Sequence, residues 1–419
     1  MLKTSALRGT LACQFGRTSP RLFPGEFFKI SMRPRKTTGL VFFLLLVLLA
    51  GSASGATHRK KRHKAISPSR SAQMRDGPVT HRATATKRKL LGSPWKTPTF
   101  ADSTDGDAPD GDDLTVRRAA VQALGRYNGT VIVADPKTGR ILTIVNQKLA
   151  FQSGFEPCST IKIVAALAGL AEGILQNQNT LFQVSRHRTI NLTQALAHSN
   201  NQFFAAVGVK LGYDKIAEYA HLFGLGERAG LNLDREQAGS LADHPPTDGL
   251  GMMTSFGEGF HVTPLELTAL MTAVANGGTL YYLQHPRSQQ EINQFMPRVK
   301  RQLDIAHWIA EIKPGLMGAV EYGTARRANF NPIEPIFGKT GTCTDDRVPT
   351  HLGWFGSYNE AGDNKLVVVI LLTGGHAVNG PIASGVAGAV YKNLSEHDYF
   401  AKSGPTPSIA STPTQPVAQ

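Results

Sequence analysis

A serine and a lysine three residues apart open an apolar stretch of the chain and suit nucleophilic catalysis. The stretch that follows Ser159 and Lys162 has the periodicity of a helix, so both side chains would share one helix face. A lysine that burial and a nearby cation keep neutral can take the proton of a serine hydroxyl. The helix N-terminus adds unpaired N–H groups where an oxyanion could form. Taken alone, a Ser-x-x-Lys pair is a weak signal, because chance produces it often.

A second polar group follows forty residues later. Ser199-Asn200-Asn201 falls at a turn between or within helices. Its hydroxyl and amide could relay a proton and hold a substrate carbonyl. A simple helix cap is the other interpretation.

A third set of residues suited to ligand binding lies in a segment that is predicted to be a strand. Lys339 with Thr340 and Thr342 on an edge strand would make a carboxylate site, and Gly341 would let a substrate lie close to the backbone. Edge strands also bind extended peptides through main-chain hydrogen bonds. Alone, this group could equally be a solvated edge lysine.

Strands at both ends of the folded part and helices between them must position these groups. This order predicts an α+β fold in which an antiparallel sheet, built from both ends of the domain, packs against a helical lobe. A groove between sheet and lobe is where a site is expected. The predicted strands are Thr130–Ala134, Ile141–Val145, Leu352–Tyr358 and Leu366–Thr373. A first helix is predicted to begin near Leu114, and three further helices are predicted over Ile163–Leu175, Thr193–Leu211 and Pro264–Ala275.

Composition divides the chain into four regions. Lys and Arg number 45 against 31 acidic residues, but residues 1–100 hold only Glu26 and Asp76 as acids, so the basic character belongs to the N-terminal flank. The basic segment that begins at residue 57 follows the predicted export signal, which argues against a nucleic-acid partner. We predict an N-terminal prefix with a signal peptide or membrane anchor over 1–56, a disordered basic and then acidic linker over 57–113, a folded domain over 114–396 and a disordered tail over 397–419.

The segment over 33–56 has the layout of a secretory signal. Basic residues precede the apolar run Leu40 to Ala50, and small residues follow it. A retained membrane anchor is the alternative, and both place the domain outside the cytoplasm. Residues 1–31 are an unusual prefix to such a signal, which makes Met32 a candidate initiator.

The conjunction of the three groups, in this order, resembles the signature of penicillin-recognising serine enzymes, and in particular the transpeptidase domain of penicillin-binding proteins. The resemblance covers roughly residues 114–394. Further segments similar to that domain are the lead-in Glu156-Pro157 with Cys158 where Gly is commoner, Phe223-Gly224-Leu225-Gly226, Ser255-Phe256-Gly257-Glu258-Gly259, Val262-Thr263-Pro264-Leu265, Ala275-Asn276-Gly277-Gly278 and Gly323-Thr324-Ala325.

The resemblance implies a D,D-transpeptidase that acts on peptidoglycan stem peptides, is acylated by β-lactam antibiotics and needs neither metal nor organic cofactor. It implies that Ser159 is the nucleophile, Lys162 the base for acylation and Ser199 the proton relay. Asn201 would bind the substrate amide. Lys339, with Thr340, Gly341 and Thr342, would bind the terminal carboxylate, and the N–H groups of residues 159 and 342 would form the oxyanion hole.

The same resemblance places two cysteines side by side. Cys158 directly precedes the nucleophile, and Cys343 follows Thr342 on the strand that lies alongside it in this fold. An arrangement similar to that of some class A carbapenem-hydrolysing β-lactamases implies a Cys158–Cys343 disulfide, which export would permit. Two unpaired thiols remain the alternative.

Other functions share this machinery. A serine β-lactamase would need a base for deacylation, and Glu236 lies near the offset of the class A base, although its surroundings look more like a transpeptidase stretch. A D,D-carboxypeptidase, a β-lactam sensor and a catalytically silent wall-binding protein also stay open. The first 113 residues are too few for a glycosyltransferase domain, so we expect a separate glycosyltransferase partner. His351, Trp354 and Phe355 are expected to form core and groove wall, and Glu258 and Thr263 to fix a helix start.

Overall fold

The computed structural model describes residues 94–328 and 333–401. Within them, two 3-10 turns cover Cys158–Ile161 and Arg326–Ala328. The helices are α1 (Leu114–Leu124), α2 (Gln147–Ala150), α3 (Lys162–Ala171), α4 (Leu192–Ala197), α5 (Asn201–Leu211), α6 (Tyr213–Leu222), α7 (Leu250–Phe256), α8 (Pro264–Asn276), α9 (Gln289–Asn293), α10 (Ala306–Glu321) and α11 (Gly380–Ser395).

The main sheet has five antiparallel strands in the order β2-β1-β11-β10-β9. The predicted combination of such a sheet with a helical lobe is confirmed. The strands are β1 (Gly129–Ala134), β2 (Ile141–Val145), β3 (Phe182–Ser185), β4 (Arg188–Ile190), β5 (Ser240–Leu241), β6 (Phe260–His261), β7 (Thr279–Tyr281), β8 (Val299–Gln302), β9 (Ile336–Thr344), β10 (His351–Asn359) and β11 (Val367–Gly374), of which β3 to β8 form three two-stranded ribbons.

Both faces of the sheet are buried. Along β11, Val368 and Ile370 belong to the core beneath α1 and α11, whereas Val367 and Val369 belong to the core of the helical lobe. Successive side chains of a strand point to opposite faces, which explains why an almost continuous apolar run is needed here. β9 is an edge strand of the sheet and carries the Lys-Thr-Gly group.

The helix predicted over 193–211 is two helices. α4 ends at Ala197 and α5 begins at Asn201, because Ser199 has φ of 52° and cannot continue a right-handed helix. Asn200 caps α5 by accepting the N–H of Phe203 at 2.8 Å. The cap interpretation therefore holds for Asn200, and the break turns its two neighbours inward.

The predicted linker differs from the structure at its end. Residues 94–113 pack on the domain, because the acidic stretch supplies partners for a partly buried arginine. Arg117 in α1 contacts Asp107 at 2.9 Å and Asp112 at 2.8 Å, and both carboxylates are almost completely buried. Asp112 also contacts the buried ring of His285 at 2.8 Å. Residues 57–93 of that linker lie outside the described residues.

The C-terminal boundary also lies later than expected. Phe400 is 5% exposed and packs with Tyr391 and Tyr399, so the folded part runs beyond residue 396. The predicted export segment over 33–56 and the rest of the tail lie outside the described residues. Over 94–328 and 333–401, no helix combines the length and apolarity of a membrane span.

Candidate active site

Ser159 lies in the 3-10 turn that leads into α3, partly exposed at its N-terminal end. Its Oγ is 2.8 Å from Nζ of Lys162 and 3.4 Å from the carbonyl oxygen of Ser255 in α7. Tight winding over Cys158–Ile161 brings positions i and i+3 together, as the spacing predicted. A hydroxyl and an amine are therefore in direct contact.

Lys162 is completely buried, and burial together with the nearby Lys339 lowers its pKa well below the ordinary value. Two carbonyl-type oxygens surround its amine: the backbone oxygen of Ser199 at 3.0 Å and Oδ1 of Asn201 at 2.5 Å. A neutral amine has two N–H groups and one lone pair. These two oxygens can accept both N–H groups, which leaves the lone pair for the proton of Ser159.

The turn between α4 and α5 brings Ser199 to the same point. Its Oγ is 3.1 Å from Nζ of Lys162 and 2.8 Å from Nζ of Lys339. The positive φ of Ser199 is rare for a residue with a side chain and costs about 1–3 kcal/mol, which the surrounding packing must sustain. One hydroxyl thus bridges the two lysines.

Lys339 reaches the site from β9. It is completely buried, and burial lowers its pKa to about 7. Its Nζ donates to the backbone oxygen of Thr340 at 2.9 Å and to Ser199. At neutral pH this group can therefore gain or lose its charge with little change in pH, and an incoming carboxylate would favour the charged form.

The three residues after Lys339 have different surroundings. The hydroxyl of Thr340 is 2.7 Å from that of Thr324, and the side chain is 4% exposed, so Thr324 holds the position of this hydroxyl. A Cβ on Gly341 would lie 2.9 Å from the backbone oxygen of Pro157. Its missing side chain thus makes room for the turn that carries Ser159, and its expected closeness to a substrate stays a prediction. Thr342 is exposed, and its hydroxyl accepts the N–H of Gly380 at 2.8 Å.

A disulfide joins the two sides of the site. Cys158 and Cys343 are bonded with their Cα atoms 5.6 Å apart, within the range that a disulfide requires. Cys158 has φ of 51°, a conformation that glycine adopts without strain. This explains why the resemblance leads one to expect Gly at this position.

One contact of the site, between Trp354 and Glu156, carried no clear sequence signal. The indole N–H of Trp354 donates to the backbone oxygen of Glu156 at 2.9 Å, which fixes the lead-in to the nucleophile. Burial, followed by the charges of Asp346, Asp345 and Glu258, raises the pKa of Glu156 to about 7. From the sequence, a single tryptophan in a strand is expected to be a core residue. Only the register of the sheet brings Trp354 next to Glu156.

Glu236 holds a loop together. Its side chain is buried and accepts the N–H of Ala229 at 2.7 Å and that of Gly230 at 2.9 Å. Burial raises the pKa of this carboxyl. Both oxygens accept backbone N–H groups, so these loop contacts account for the buried carboxylate.

The remaining expectations concern core and caps. Trp354 and Phe355 are fully buried, as expected, and His351 is partly buried with Nδ1 2.6 Å from the oxygen of Val378. Thr263 caps α8, but its partner in the capping box is Glu266 rather than Glu258. Within the described ranges, no cluster of three or more His, Cys, Asp or Glu side chains is arranged for a metal ion.

The fold and the site define a class of protein: an α+β domain in which a serine hydroxyl meets two buried lysines, one of which has a strongly lowered pKa. Residues 129–396 match the family model of the penicillin binding protein transpeptidase domain. The chain belongs to this family.

Curated relatives are similar over the same region. Stage V sporulation protein D of Bacillus subtilis is 26% identical over 64% of this chain and 49% of its own length. Peptidoglycan D,D-transpeptidase MrdA of Haemophilus influenzae is 22% identical over 65% of this chain and 54% of its own. The chain thus spans about half the length of these relatives.

A solved structure agrees in fold. The D,D-transpeptidase domain of a peptidoglycan glycosyltransferase from Eggerthella lenta superposes with a TM-score of 0.56 at 22% identity, covering 68% of this chain and 81% of that one. The expected fold is confirmed at this level.

Proposed function

We propose that this protein is a D,D-transpeptidase that forms a serine ester with peptidoglycan stem peptides and is acylated by β-lactams. The observation that carries the proposal is the contact of 2.8 Å between the Ser159 hydroxyl and a buried lysine whose two N–H groups already have acceptors. Membership of the transpeptidase family and relatives named as D,D-transpeptidases support it.

Acylation begins at Ser159. Its Oγ attacks the carbonyl carbon of the penultimate D-alanine while its proton passes to Nζ of Lys162. The N–H groups of Ser159 and Thr342 hold the oxyanion. The C–N bond then breaks, and the proton reaches the leaving D-alanine nitrogen through Ser199, whose Oγ contacts both lysines.

The substrate is held at two points. Lys339 and Thr342 bind its terminal carboxylate, and Thr340 supports the strand through Thr324. The Asn201 amide has its oxygen on Lys162, so its NH₂ remains for a substrate carbonyl. In the second half-reaction an acceptor amine attacks the ester, gives up a proton and releases Ser159. Water in that position would give the carboxypeptidase outcome.

The β-lactamase alternative loses its candidate base. The backbone holds both oxygens of Glu236, and a long-lived acyl-enzyme follows from the lack of that base. We expect slow hydrolysis of nitrocefin by this protein, and rapid turnover would instead favour a β-lactamase.

Intact-protein mass spectrometry after incubation with benzylpenicillin tests the proposal. The protein should gain the mass of one penicillin, Ser159→Ala should gain none, and Ser153→Ala, at an exposed serine nearby, should match the unaltered protein. An adduct that survives Ser159→Ala, or an unaltered protein that gains no mass, would refute the assignment.

The location is part of the same proposal. The apolar segment over 40–50, together with the Cys158–Cys343 bond, supports action outside the cytoplasm with the disulfide formed in the native protein. Protease accessibility of the domain in intact spheroplasts tests the location.

A further inference from the structure

An exposed pair of aromatic rings adjoins the proposed active site. The rings of His198 and Tyr322 have centroids 5.7 Å apart and an interplanar angle of 53°. His198 is exposed and Tyr322 is 47% exposed. Neither ring enters the mechanism above, and solvent-exposed aromatic surface beside a groove is a common feature of ligand binding.

Two backbone segments pair to bring the rings together. The N–H of Thr324 donates to the oxygen of Ala197 at 3.1 Å. A Cβ on Gly323 would lie 2.0 Å from that same oxygen, so only glycine permits the approach. Residues 197–199 and 322–324 therefore run side by side, one at the end of α4 and the other just beyond α10.

Each of these segments also carries a residue of the site. Ser199, next to His198, contacts Nζ of Lys339 at 2.8 Å. Thr324, two residues after Tyr322, contacts the hydroxyl of Thr340 at 2.7 Å. The two rings are thus tied, through their neighbours along the chain, to Lys339 and Thr340, the part of the site proposed to hold a carboxylate.

The Tyr322 ring is held in place by packing on α10. A Cβ on Gly318, one helical turn earlier, would lie 2.7 Å from Cζ of the Tyr322 ring. The ring therefore lies against the bare backbone of α10 and keeps another part of its surface open. A ring that is already held in place loses little conformational freedom when a ligand packs on it.

We propose that His198 and Tyr322 form an aromatic platform for the ligand group that lies next to the carboxylate, on the leaving-group side of the scissile bond. This inference rests on the proposed function. In a cephalosporin the carbon next to the carboxylate-bearing carbon carries the C3 substituent, so an aromatic C3 group would pack on the platform. A small C3 group would not reach it.

Acylation rates of two cephalosporins test the platform. The pair shares one acyl side chain and differs only in a methyl or an aryl-bearing C3 group, and the second-order rate constant of acylation is measured for each. Tyr322→Ala and His198→Ala should each lower the rate with the aryl compound about 3- to 10-fold, the range expected of an aromatic contact. The methyl compound should change less than about 2-fold on the same scale.

Two controls separate ring contact from a general disturbance. Tyr322→Phe keeps the ring and should retain the preference for the aryl compound. Phe100→Ala removes a different exposed ring, paired with Tyr127 at 5.7 Å, and should leave both rates unchanged.

The outcomes distinguish the two proposals. If the unaltered protein is acylated but Tyr322→Ala and His198→Ala change both rates equally or not at all, the platform is refuted and the proposed function stands. If neither compound acylates the unaltered protein at Ser159, the proposed function fails and the platform falls with it.

Discussion

Two buried lysines share the hydroxyl of Ser199, and their charges oppose each other. Each amine lies about 3 Å from that oxygen, at 3.1 Å for Lys162 and 2.8 Å for Lys339. Because like charges at such distances in a buried site are costly, a proton on Lys339 keeps Lys162 neutral. The carboxylate-binding cation and the general base are therefore coupled.

This coupling predicts a bell-shaped pH profile for the second-order acylation rate with benzylpenicillin. The rate should fall on acidification, because Lys162 gains the proton that disables it as a base. It should fall above about pH 7, because Lys339 loses its charge in the free protein. Stopped-flow measurement from pH 5 to 10 would record both limbs.

Lys339→Arg is the control for the alkaline limb. A guanidinium stays charged over this range, so the variant should react more slowly but without the alkaline fall. A wild-type rate that keeps rising through pH 9 would contradict the assignment of Lys339.

Lys339 should also make stability depend on pH. Its folded pKa of about 7 lies below the ordinary value of 10.5. Between these values the unfolded chain binds a proton that the folded one does not, so the free energy of unfolding rises with pH by up to about 1.4 kcal/mol per unit. Urea unfolding at pH 7 and 9 should reveal a smaller increase in Lys339→Met. The same increase in both proteins would mean that Lys339 stays charged when folded.

The sequence was sufficient to predict contacts between residues that lie close together along the chain. Ser159 and Lys162 meet because helical spacing guarantees it, and this pair was predictable. The supporting contacts were not. Glu156 meets Trp354, and Thr340 meets Thr324, through sheet register and loop packing that no local pattern encodes.

Among the elements, the 3-10 turn and the edge strand depend on each other. The Cys158–Cys343 bond spans 185 residues and joins the turn that carries the nucleophile to β9. Cys158 itself has a left-handed conformation. We expect the bond both to stabilise the fold and to position Ser159.

Two cysteine variants should separate these effects. Cys343→Ala removes the bond and leaves Cys158 strained, whereas Cys158→Gly with Cys343→Ala removes both bond and strain. Each should lose about 2–5 kcal/mol of unfolding free energy. Acylation by benzylpenicillin should fall further in the single variant than in the double one. Equal rates would show that the backbone at residue 158 does not limit the position of Ser159.

Elements could be predicted where their pattern was uninterrupted. The hairpin of β1 and β2 and the helix α8 agree with the sequence to within a residue or two. The break between α4 and α5 lacks Gly or Pro, because Ser199 itself takes the left-handed conformation. Apolar periodicity on both sides of it therefore suggested one continuous helix.

At the scale of the whole molecule, the acidic stretch over 102–113 is packed on the folded domain and is not a free linker. The carboxylates of Asp107 and Asp112 are buried against Arg117, and Asp112 also contacts the ring of His285. A run of Asp and Gly residues has the composition of a disordered linker, and its order here comes from contacts with distant residues such as Arg117 and Gln147. Sequence composition could not have located this contact.

Removing that arginine should destabilise the entire domain. Arg117→Met leaves two buried carboxylates without their cation and should cost about 3–5 kcal/mol of unfolding free energy. Arg118→Met, exposed on the same helix, should change it by less than about 0.5 kcal/mol. Chemical denaturation of both variants provides the measurement. A similar small effect for Arg117→Met would indicate that water reaches the two carboxylates.

The strand order has a consequence for biogenesis. β1 pairs with β11, so Val131 finds its partner Ile370 only after almost the whole domain has been synthesised. Long-range pairing of this kind folds slowly and leaves apolar surface open in the meantime. A nascent chain therefore contains Ser159 and Lys162 long before it contains Lys339 and β11, and the apolar residues of β1 stay unpaired with β11 in the meantime.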